Sequence, residues 1–74
     1  MKKIRSRISK MRDGNEKLFL FDITVKVEEA LKDNDIQKVD RLNERLNGIF
    51  DGLSDDGQII AKEISKRIME VHNA

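Results

Sequence analysis

Apolar residues recur along most of this chain at the three-and-four spacing of a helix face. Val39, Leu42, Leu46, Ile49 and Leu53 keep that spacing without a break, and Ile60, Ala61, Ile64, Ile68 and Val71 line a further face. Side chains three and four positions apart share one side of a helix, so each set predicts a helix with one buried stripe. Between them lies "FDGLSDDGQ". Gly52 suits a helix stop and Ser54 or Asp55 an N-cap, with Asp55 and Gln58 fitting the reciprocal capping pattern.

The stretch "LFLFDITVKV", Leu18 to Val27, carries two patterns at once. Phe19, Phe21, Ile23, Val25 and Val27 sit at period two, with Asp22, Thr24 and Lys26 between them, as on a half-buried strand. Asp13-Gly14 is a good hairpin turn; pairing across it sets Ile8 opposite Phe19, Ile4 opposite Ile23 and Arg5 against Asp22. Leu20, Ile23, Val27 and Ala30 also keep helical spacing, broadened by Phe19 and Leu31, and Asp22→Lys26 and Glu28→Lys32 are favourable i,i+4 pairs. The residues after Val27 decide for the helix. Asp33-Asn34 reads as a tight connection and Asp35 as the next N-cap. A strand at 18–27 would leave barely one helical turn before that connection, too short to be stable. With Asn15 as cap, the pattern predicts helices over 16–32, 35–52 and 55–72.

Three amphipathic segments of similar length predict an all-α fold: an antiparallel three-helix bundle over 15–74, preceded by a basic N-terminal arm or short extra helix over 1–14. The alternative is α+β, an N-terminal β-hairpin followed by two helices.

If 18–32 is helical, Leu18, Phe21 and Val25 form a second stripe roughly opposite the first. Ile4, Ile8 and Met11 fall at i, i+4, i+7 and make "KKIRSRISKMR" a short basic amphipathic helix that can cover it. The same six residues, Ile4, Ile8, Met11, Leu18, Phe21 and Val25, are the candidate partner or homodimer interface, because an exposed apolar patch marks a contact site.

Charge adds a division that the net value of +1 conceals. Residues 1–17 carry seven basic and two acidic side chains, net +5, and the rest carry eight basic and twelve acidic, net −4. A basic arm on an acidic body suits an anionic partner such as nucleic acid, with Lys2, Lys3, Arg5, Arg7, Lys10 and Arg12 as the candidate contacts. The arm has no aromatic residue, so binding would run through phosphates and depend on salt.

Catalytic and metal chemistry finds little support. Cysteine is absent and His72 is the single histidine, which rules out the usual zinc sites and disulfides. At its position His72 suits the negative end of a helix. The serines sit in no nucleophile elbow and the glycines in no phosphate loop. Asp51, Asp55 and Asp56 fail the calcium-loop spacing, which would put Leu53 at position three and Lys62 at position twelve. The expectation is a non-enzyme with no cofactor and no small-molecule substrate. With neither an apolar span nor a signal-like start, a cytoplasmic setting is expected.

"FDITVKV" after a basic arm resembles the strand of ribbon-helix-helix repressors, and "KEISKRIMEV" resembles their second helix. The resemblance implies two strands paired in a dimer, reading the major groove through Asp22, Thr24 and Lys26. "GQIIAKEISKRIMEV" lacks the turn glycine and the subsequent length of a helix-turn-helix.

Three functions are expected on these grounds. The first is a small regulatory protein that binds another protein as adaptor or inhibitor, of the kind carried by mobile elements. The second is a nucleic-acid-binding accessory protein or repressor using the arm. The third is a self-assembling structural subunit, the basic arm of one copy meeting the acidic body of the next.

Overall fold

The computed structural model describes the backbone of residues 1–72 and the side chains of 1–71, so the role expected for the His72 side chain lies outside the described residues. The chain is all-helical, with no strand among the described residues. Helix α1 spans Lys2–Ser9, α2 Asn15–Lys32, α3 Ile36–Ile49 and α4 Asp55–His72, with one 3-10 turn, Phe50–Gly52, continuing α3.

The structure disfavours the hairpin alternative, and with it the strand that the ribbon-helix-helix resemblance implied: Leu18 to Val27 lies inside α2. Thr24, outward-facing in the ribbon reading, is fully buried, and its Oγ1 donates to the Leu20 carbonyl one turn back at 2.7 Å. Alternation lost to helical spacing because Leu20, Ile23, Val27 and Ala30 bury together on one face, as a strand could not arrange.

The connections show why the helices end where they do. At the end of α2, Asn34 adopts the left-handed conformation (φ 56°). The Asp35 N–H then reaches the Ala30 carbonyl at 2.8 Å and the Asn34 N–H reaches Leu31 at 3.2 Å, the double bond of a Schellman cap. Asp35 starts α3 directly, its Oδ1 accepting the Lys38 N–H at 3.2 Å. One expected cap differs, and one is settled between two candidates. Gly14, not Asn15, holds the cap position of α2, with no side-chain hydrogen bond. Ser54, not Asp55, caps α4, its Oγ accepting the Gly57 N–H at 3.2 Å, while Gln58 Nε2 donates to the Phe50 carbonyl.

One buried cluster unites all four helices. Leu20, Ile23, Val27 and Ala30 of α2 meet Val39, Leu42 and Leu46 of α3 and Ile60, Ala61, Ile64 and Ile68 of α4. Helix α1 packs against α2 and α4 and adds Ile4 and Ile8. The expected stripes overran at their ends: Ile49 and Val71 are exposed.

Candidate interaction surfaces

Burying Ile4 and Ile8 requires α1 to lie flat against the body, and this fixes where its charges go. Arg5 reaches α2, its Nε and Nη2 donating to the two carboxylate oxygens of Glu28 at 2.9 and 2.6 Å. Arg7 reaches α4, with Nη1 3.1 Å from Glu63 Oε1. Lys17 bonds both Asp13 and the Ser9 carbonyl, closing the turn into α2. Two arginines expected to contact an anion thus tie α1 into the fold. Lys2, Lys3, Lys10 and Arg12 have no ion-pair partner among the described residues.

The six residues expected at one interface separate. Ile4 and Ile8 are core residues of their own chain, which corrects their assignment to a partner surface; Met11 and Val25 are half-buried. Leu18 and Phe21 stay 69% and 50% exposed. The reason is angular. Ile4 and Ile8 enter the core where α1 meets α2 and α4, whereas Leu18 faces outward from α2. Intramolecular cover therefore stops at Val25.

Two further surfaces escaped the sequence because each needs side chains from two helices. Between α1 and the second half of α4, Lys2, Lys3 and Arg7 come together with Lys66 and Arg67, interrupted by Glu63 and Glu70. Between α3 and α4 runs an open groove of about 660 Å³. Phe50, Ala61 and Met69 supply its apolar lining, Asn47 one wall, and Lys62, Lys66 and Glu70 the α4 rim. Ser65 Oγ donates to Asn43 Oδ1 at 2.9 Å, bridging the two helices, and the Lys62 ammonium stands 5.7 Å from the Phe50 ring centroid. On the α2 side of α3, Arg45 stacks over Phe19 at 5.3 Å, sheltering the aromatic that the core leaves half-open.

No described helix is long and apolar enough to cross a membrane. No protein family, curated protein or solved structure matches the chain.

Proposed function

We propose that this is a small non-enzymatic regulatory protein that acts by docking on another protein. The observation that carries the reading is the exposure of Leu18 and Phe21 on α2 after α1 has packed. Holding neighbouring large apolar side chains in water is unfavourable, by roughly 25 cal/mol per Å² of apolar surface, and contact surfaces are where proteins tolerate it. The ties from Arg5 to Glu28 and Arg7 to Glu63 support the same view, since they engage arm charge inside the fold.

A photo-crosslinking residue placed at Phe21 tests this in cells that make the protein. A discrete protein adduct is expected, abolished by Leu18→Asp in the same chain. Absence of any protein adduct would refute the reading.

A second reading, polyanion binding, has its own observation: the convergence of Lys2, Lys3 and Lys66 in the α1–α4 groove. It predicts retention on duplex DNA that falls steeply with salt, and a shallower salt slope in Lys2→Gln/Lys66→Gln. Lack of retention at low salt would remove it.

A further inference from the structure

Helix α1 brings cations to the surface and no acid. Lys2, Lys3, Arg5 and Arg7 lie on it, and Lys10 and Arg12 follow in the turn. Helix α4 adds Lys66 and Arg67 along the α1–α4 seam. The acids that line this seam or pair with it are Glu28 of α2 and Asp56, Glu63 and Glu70 of α4. Three of these are met by arginine: Arg5 holds Glu28, Arg7 holds Glu63, and Arg67 stands 3.6 Å from Glu70. Asp13, in the turn, is taken by Lys17. That leaves Asp56 against Lys2, Lys3, Lys10, Arg12 and Lys66, none of which has an ion-pair partner among the described residues. The surplus is positive, and the packing of α1 holds it in place.

We infer that this surface grips the phosphate backbone of double-stranded nucleic acid without reading its sequence. The inference rests on the polyanion reading and names the partner. A lipid surface is disfavoured by the packing of α1. An interfacial helix binds a bilayer by sinking its apolar side among the lipids, and Ile4 and Ile8 are already buried in the protein's own core, at 6% and 1% exposure. A single strand is disfavoured by the placing of the aromatic residues, since proteins that hold single strands stack bases on aromatic rings. The aromatics of this chain are three phenylalanines. Phe19 lies under Arg45, Phe21 points out from α2 and Phe50 lines the α3–α4 groove, so none lines the seam. A duplex needs no stacking partner and carries one charge per about 1.7 Å, twice the density of a single strand. Sequence reading is disfavoured by the pairing of the arginines. The arginine fork is the usual guanine contact, and Arg5 and Arg7 are engaged with Glu28 and Glu63. Lys2, Lys3, Lys10 and Lys66 meet phosphate as point charges.

Fluorescence anisotropy of the full chain with short labelled DNA tests this. Two duplexes of unrelated sequence should bind alike, and both more tightly than their separated strands at the same salt. The unpaired cations allow about five phosphate contacts, so log affinity for duplex should fall against log salt with a slope no steeper than about −4.5. Lys2→Gln/Lys66→Gln should flatten that slope by about 2. Lys38→Gln/Arg41→Gln removes as much charge from α3, against which α1 does not pack among the described residues, and should leave the slope unchanged. All four positions are exposed, so both variants should stay folded by circular dichroism. Equal flattening by the two variants would overturn the inference, since the contact would then not be on this surface. So would a preference between the duplexes, a single strand held as tightly as a duplex, or vesicles of phosphatidylserine bound as tightly as DNA. Retention on heparin with no binding to duplex would overturn it and leave the polyanion reading standing. A chain held by neither at low salt would remove both.

Discussion

Glu16, in the first turn of α2, caps the start of α4 through Ser54, 38 positions along the chain. Glu16 Oε1 accepts the Ser54 backbone N–H at 2.8 Å, and its other oxygen accepts the Ser54 hydroxyl. Ser54 Oγ in turn accepts the Gly57 N–H. In a capping box one helix supplies both partners, a Ser or Thr at the cap and a Glu or Gln three residues later. Here the residue three later is Gly57, and a carboxylate from another helix takes the missing role. A β-carbon on Gly57 would come within 2.6 Å of Glu16 Oε2.

This arrangement makes Gly57 and Glu16 energetically coupled. Glu16→Ala should cost about 1 kcal/mol, the usual worth of a lost cap bond. Gly57→Ala should gain little in the wild type, because displacing Glu16 offsets a helix-propensity gain of up to about 1 kcal/mol. In the Glu16→Ala background that gain should appear. Urea unfolding of the four proteins gives the cycle; strict additivity would show that the two side chains do not compete for the same space.

Asn34 should prefer glycine to any branched residue. Its φ of 56° is left-handed, where a β-branched side chain is strained. Asn34→Val should destabilise by roughly 1–2 kcal/mol, in line with the cost of that conformation, whereas Asn34→Gly should leave stability nearly unchanged or raise it. Thermal melts that rank valine level with glycine would contradict the Schellman cap.

Helix α1 should be held by its isoleucines far more than by its arginines. Ile8 is 1% exposed, so Ile8→Ala should cost about 2–5 kcal/mol. Arg5→Ala breaks a largely solvated pair with Glu28 and should cost no more than about 1 kcal/mol. The comparison is made by denaturation midpoint, and the Arg5 effect should shrink in high salt. An Ile8→Ala protein as stable as wild type would mean that α1 is not part of the core in solution.

Thr24 is buried with its hydroxyl bonded within its own helix. Thr24→Val keeps the shape and loses a bond to a carbonyl already inside the helical ladder, so stability should move by less than about 1 kcal/mol. Thr24→Ser keeps the bond and loses a methyl, and should cost about 1 kcal/mol through the void left behind. If valine proves much worse than serine, the hydroxyl matters more than the packing.

Sequence alone determined the elements whose evidence is local. The stripes Leu20–Ala30, Val39–Leu46 and Ile60–Ile68 are buried as their spacing required, because helical periodicity is carried by neighbouring residues. The Asp33–Asp35 connection was legible for the same reason: an Asn in the left-handed position and an Asp at the cap act within a few residues. The tertiary structure decided whatever depends on residues distant in sequence. It buried Thr24 along with the inner face of α2, which the apolar spacing alone did not include. It chose Ser54 over Asp55 as the α4 cap and supplied the second half of that cap from Glu16. It placed Ile4 and Ile8 in the core while leaving Leu18 and Phe21 outside, since α1 enters beside α2 rather than over its outer face. The α3–α4 groove and the α1–α4 basic surface were invisible for the same physical reason. Each consists of side chains that periodicity assigns to separate helices, and only the angles at which those helices pack bring them together.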